Sequence, residues 1–144
     1  MESDVFDSKN GKVIFVCINW SYDNLLKDKK IRGRETVYDC VRKYWEIENV
    51  EKANKADFIL GVYDHIVAAV FKMDKRGWRK ISEDSELKEE FKNDDEMKTH
   101  SEYYSRYAFS SEKPAEPLKN SPYLGKMIPR EFWFSKIVTV TYNY

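Results

Sequence analysis

Thr36-Val37-Tyr38-Asp39-Cys40-Val41-Arg42-Lys43-Tyr44-Trp45, followed by Ala56-Asp57-Phe58-Ile59-Leu60-Gly61-Val62-Tyr63-Asp64-His65-Ile66-Val67-Ala68-Ala69-Val70-Phe71, holds most of the apolar residues that could build one core. In the first segment Val37, Cys40, Val41 and Tyr44 fall at i, i+3, i+4 and i+7, one face of an α-helix. Arg42 and Lys43 suit the negative end of its dipole, and Trp45 marks its exit. In the second segment, residues 58–63 and 66–71 read as two strands joined by a two-residue turn, Asp64-His65.

Outward from this centre, residues 13–18 form a continuous β-branched and aromatic run, the pattern of a strand buried on both faces. Asn19, Trp20, Ser21, Tyr22, Asp23 and Asn24 end that strand with turn formers and two aromatics. Residues 25–33 are basic, end in Gly33, and read as a loop or a weak helical turn. Residues 50–56 are polar and read as a loop or one turn of helix. Residues 106–110 and 137–142 are the last two strands, with a proline-bearing loop over 114–122 and a compact turn over 123–126. The expected class is α+β: a small curved, mostly antiparallel sheet or barrel with one or two packed helices, since no helix follows each strand in turn. The 144 residues fit one domain, with a polar arm over 1–11 and an acidic loop insertion over 82–102.

The composition, 42% hydrophobic and 35% charged, is that of a folded chain rather than a disordered one. Net charge is zero, but it is unevenly spread. Residues 27–43 carry seven Lys and Arg against Asp28, Glu35 and Asp39. Residues 72–80 carry five against Asp74, and residues 83–102 carry nine acids against Lys88, Lys92 and Lys98. A local basic face attracts an anion whatever the total charge; alternatively each run is a solvated surface. Cys17 and Cys40 both sit among apolar residues and read as buried free thiols. The N-terminus is acidic and polar, unlike a secretory signal, and no apolar run approaches the ~20 residues that span a bilayer. A cytoplasmic protein without a membrane partner is the expectation.

Signatures of catalysis are missing: there is no phosphate loop, dinucleotide fingerprint or serine nucleophile elbow. His65 and His100 are the only imidazoles, and both read as surface residues. Two Cys and two His at scattered positions make no zinc site, so neither metal nor cofactor is expected. What remains is aromatic. Trp20, Trp45 and Trp78 lie at element ends, with Asn19, Ser21 and Asn24 nearby. Flat rings stack on bases, amides read base edges, and Lys29, Arg32, Arg34 and Arg42 would meet phosphate. The competing reading makes each tryptophan a core cap with its N–H on a backbone carbonyl.

The order of residues 15–24, the helix ending at Trp45 and the two strands 58–62 and 66–70 resembles the layout of the PUA-like superfamily, most closely its YTH and EVE domains. The resemblance covers roughly the first half of the chain. It implies a pocket for a modified base, with Trp45 as the cage tryptophan, Asn24 as the base-reading asparagine and Trp78 as a second wall. The second half, with Arg106-Tyr107-Ala108-Phe109 and Tyr123-Leu124-Gly125-Lys126, is similar to a group of uncharacterised bacterial and phage proteins. The leading expectation is therefore a non-enzymatic module that binds nucleic acid or a nucleotide through an aromatic pocket. The alternatives are a defence-related protein that sequesters a nucleotide second messenger, a nuclease using His65 or the acids, and a protein-interaction domain presenting residues 82–101. Nothing in the sequence selects an oligomeric state.

Overall fold

The structure is a computed structural model that describes residues 11–113 and 116–144. The arm expected over 1–11 lies outside them except for Gly11, and so do Pro114 and Ala115 at the start of the proline-bearing loop. The fold is α+β. Its main sheet has four strands in the order β3 (Ile66–Phe71), β2 (Phe58–Tyr63), β1 (Val13–Cys17), β6 (Val140–Tyr142). β1 runs parallel to β2, while β2–β3 and β1–β6 are antiparallel. A second sheet pairs β4 (Arg79–Lys80) with β5 (Tyr107–Ala108). Among the described residues the main sheet is open, with β3 and β6 as its edges.

The central strands are the apolar runs, as a strand covered on both faces requires. The β2–β3 turn places Asp64 and His65 at φ of 51° and 69°, the doubly left-handed geometry of a tight hairpin. The parallel β1–β2 pair is the exception in a set of pairings that is otherwise antiparallel, as the expected mostly antiparallel sheet allows. Its crossover carries α1 (Asn19–Leu26), α2 (Val37–Arg42) and α3 (Val50–Ala53). α1 replaces the turn expected at residues 19–24. Ile18, Tyr22 and Leu25 recur at helical spacing and reach the core, and that burial outweighs the turn preference of Asn, Ser and Asp. α2 begins with a capping box: Asp39 N–H donates to Thr36 Oγ1 and Thr36 N–H donates to the Asp39 carboxylate, each at 3.2 Å. The chain then turns extended at Lys43, so Tyr44 leaves the α2 face that its spacing predicted.

Three apolar clusters result. α1 and α2 cover one sheet face, over Ile14, Val16, Ile59 and Phe71. Gly61 lets α2 come close, because a Cβ there would lie 2.5 Å from Val41 Cγ2. Tyr123, Ile128 and their neighbours cover the opposite face, over Phe15, Leu60 and Val70. The third cluster corrects the reading of residues 82–102 as a loop insertion. α4 (Ser85–Phe91) and α5 (Asp95–Thr99) bury Leu87, Phe91 and Met97 against Tyr44, Ile81 and Ala108. α4 thus stands within the acidic stretch with its apolar side buried.

Candidate functional site

The tryptophans part company. Trp45 is 8% exposed, and its indole N–H donates to the Val41 carbonyl at 2.7 Å. Trp78 is 3% exposed and meets Phe109 edge-on at 5.0 Å. Both rings are core, so neither offers a face to a base, and the cage built on Trp45 and Trp78 is not formed. Trp20 is 59% exposed on α1. Its neighbours serve the fold. Asn19 Oδ1 accepts from Asp64 N–H at 2.9 Å and so holds the hairpin turn. Ser21 is buried. Asn24 Nδ2 donates to the Trp20 carbonyl at 2.9 Å, one turn back along α1.

The basic residues divide in the same way. Arg34 is 7% exposed and makes a two-pronged pair with Glu96, Nε–Oε2 at 2.5 Å and Nη2–Oε1 at 3.0 Å. Its Nη1 donates to the carbonyls of Asp39 and Lys43 at 2.7 and 3.0 Å. Arg42 is buried, donating to Phe109 O, Glu90 and Ser110 Oγ at 3.0, 2.7 and 3.2 Å. Arg34 and Arg42 are therefore not phosphate ligands in this arrangement: the chain's own acids and carbonyls fill their donor sets. Beside them Lys43 Nζ donates to Asp94 Oδ2 at 2.7 Å, and the Tyr44 hydroxyl donates to the same oxygen. Burial lowers the Lys43 ammonium pKa against the pull of Asp94. Burial and then Asp94 raise the Tyr44 phenol. Burial would lower the Arg34 guanidinium pKa, but Glu96 reverses the sign and raises it.

Three of the four expected phosphate residues nevertheless meet at one place. An open cleft of about 710 Å³ lies where the loop after α1 meets α5, and Lys29, Lys30, Arg32 and Lys98 line it together with Arg34. Leu25 and Ile31 supply its apolar wall. Among the described residues Lys29, Lys30, Arg32 and Lys98 enter no ion pair. Three carboxylates also line the cleft: Asp28, Glu35 and Asp95. Two of them are turned to backbone, Glu35 accepting from Gly33 N–H and Asp95 from Arg32 N–H at 2.9 Å. Asp95 N–H donates back to the Arg32 carbonyl at 3.0 Å. The loop backbone is thus clipped to the start of α5 while its cationic side chains stay free. Such a set can hold an anion that brings several negative charges. Lys30 and Lys98 were missed by the sequence reading. Lys30 stands in the same basic run as Lys29, whereas Lys98 belongs to the acidic one and carries no local sign of its role.

Among the described residues, no three His, Cys, Asp or Glu side chains gather where they could hold a metal ion. No described helix is long and apolar enough to cross a membrane. No family model matches the chain, and no curated protein or solved structure matches it.

Proposed function

We propose that this chain binds single-stranded nucleic acid without transforming it. Backbone phosphates would sit in the cleft of Lys29, Lys30, Arg32 and Lys98, and one base would stack on Trp20. The observation that carries the reading is the set of four cations that gather around one cleft and enter no ion pair among the described residues, whereas Arg34, Arg42, Lys43 and Arg79 are paired with the chain's own acids. Trp20 adds an exposed ring at the far end of α1, about 9 Å of helix from Leu26. That separation suits a strand of several nucleotides rather than one. The likeness of the first half to base-reading YTH and EVE domains points to the same class of ligand, although the aromatic contact moves from Trp45 to Trp20.

Titration of tryptophan fluorescence with short oligothymidylate tests the proposal. Neutralising about four phosphates of a single strand gives a slope of about −3 in log affinity against log salt. Trp20→Ala should remove about 1–3 kcal/mol of stacking, and Lys29→Glu with Lys30→Glu should abolish binding at moderate salt. Binding that ignores salt and survives the double reversal overturns the reading. A second reading, capture of a small nucleotide signal, is favoured by the cleft's volume, which falls in the range of about 300–1,000 Å³ typical of small-ligand sites. Trp20→Ala separates the two, since a nucleotide confined to the cleft would not notice it.

A further inference from the structure

We propose that the open edge of β6 is a docking site for an extended peptide of alternating apolar and basic residues, taken up as a fifth strand of the main sheet. The site is separate from the cleft beside α1, and its argument starts from backbone pairing. Antiparallel ladders alternate between hydrogen-bonded and non-bonded residue pairs. Cys17 N–H donates to Thr139 O at 3.0 Å and Asn143 N–H to Val13 O at 3.3 Å, so odd-numbered β6 positions face β1. Val140 and Tyr142, opposite Val16 and Ile14, are the non-bonded pairs. Their N–H and C=O groups point away from β1, and no group of a described residue bonds them.

The two edges of the sheet are treated differently. β3 is covered: Leu118 N–H and Gly125 N–H donate to Val70 O and Val67 O at 2.8 and 2.9 Å, and Val67 N–H donates to Lys126 O at 2.9 Å. Among the described residues β6 has no such cover. Exposed edges are normally blunted by shortness, charges, prolines or bulges, and of these β6 has only its three-residue length. Residues 137–142 read Ile-Val-Thr-Val-Thr-Tyr, with neither charge nor proline, and Ile137 and Val138 are 89% and 48% exposed. The edge is instead one wall of a groove of about 430 Å³, whose other wall is Glu46, Glu48, Asn49 and Lys52.

Charge selects the occupant. Glu46 pairs with Arg106 at 3.1 Å, and Lys52 Nζ lies over the Tyr142 ring at 4.7 Å. Glu48 enters no ion pair among the described residues. An added strand offers alternate side chains to opposite faces. Basic residues facing Glu48, alternating with apolar ones, match this groove.

The experiment titrates isotope-labelled full-length protein with a capped synthetic peptide alternating valine and lysine, followed by amide shifts and hydrogen exchange. Expected are shifts and slowed exchange at Val140 and Tyr142, severalfold weaker binding for Glu48→Lys, and no binding of a valine–glutamate counterpart. Val140→Pro removes an outward N–H that the sheet does not use, so it should keep the fold and lose the peptide. If that variant does not fold, N-methylation of alternate peptide amides serves instead: one register should block binding and the other should not. Equal binding of the two peptides, shifts away from β6, or no binding overturns the proposal. So does a dimer in sedimentation whose interface protects β6, which would make the partner a second copy.

Discussion

Replacing Glu96 by alanine is the sharpest test of how the acidic and basic runs are used. Arg34 would keep Nη1 on the Asp39 and Lys43 carbonyls but lose both acceptors for Nε and Nη2. The side chains of Arg34 and Glu96 are 7% and 10% exposed, so water cannot readily replace the lost oxygens. Removing one partner of a buried pair costs about 3–5 kcal/mol, because it strands the other charge. Against a total stability of about 5–15 kcal/mol this is a large fraction. At a urea slope of about 2 kcal/mol/M, the midpoint should fall by about 2 M.

The assay is equilibrium urea unfolding of Glu96→Ala, Arg34→Met and the combination Arg34→Met with Glu96→Leu. Replacing both charges by apolar groups of similar size is often neutral or stabilising. The double variant should therefore be more stable than Glu96→Ala, with a large coupling free energy. Glu96→Ala should also speed hydrogen exchange at Arg32, whose N–H bonds Asp95 on the same helix. A cost below about 1 kcal/mol, the range of exposed ion pairs, would refute the reasoning. It would mean that Glu96 is solvated and that α5 does not hold the basic loop.

Trp45→Ala should cost about 3–5 kcal/mol by calorimetry or urea, as a buried aromatic does, whereas Trp20→Ala should stay within about 0.5 kcal/mol. Gly61→Ala should cost about 1–3 kcal/mol through its clash with Val41, and combining it with Val41→Ala should cost less than the two changes summed. Stability should decline in alkali. The Tyr44 pKa is raised above its ordinary 10.0, so its contribution is complete below that pH and lost as pH rises beyond it. Tyr44→Phe should shrink the decline measured by urea midpoints across that range. Lys43, lowered from 10.5, contributes with the opposite sign, stability rising with pH below its ordinary value.

Local signals carried the central strands, the hairpin and the start of α2. Asp64 and His65 mark a two-residue turn, and Thr36 with Asp39 three residues on is a capping pattern. The parallel β1–β2 pairing was also legible in principle, since residues 13–17 lack the alternation of a strand with one wet face. α1 was not, because its residues favour turns and only contact with the finished sheet pays for a helix there. Trp45 was undecidable from its neighbours. A tryptophan at a helix exit looks the same whether its N–H meets a carbonyl four residues back, as here, or a ligand.

The charge runs failed as ligand signals for a different reason: their partners are far away in sequence. Glu96 meets Arg34 across 62 residues and Asp94 meets Lys43 across 51, and neither distance leaves a trace in spacing. The basic run over 72–80 is only partly paired, and locally: Arg76 meets Glu86 and Arg79 meets Asp84, while Lys72, Lys75 and Lys80 enter no ion pair among the described residues. On the proposed function, the anion-binding surface lies not where Lys and Arg are densest, but where those left after internal pairing gather round one cleft. Around the cleft beside α1, pairing removes Arg34, and the lining retains Lys29 and Arg32 and adds Lys30 and Lys98, while Arg42 lies paired elsewhere. On the proposed function, the acids would serve binding without touching a ligand. Asp95 and Glu96 hold the backbone of Arg32 and the side chain of Arg34, and thereby fix the loop whose free cations face the cleft. Cations preorganised this way lose less freedom on meeting an anion than the same residues on an untethered loop would.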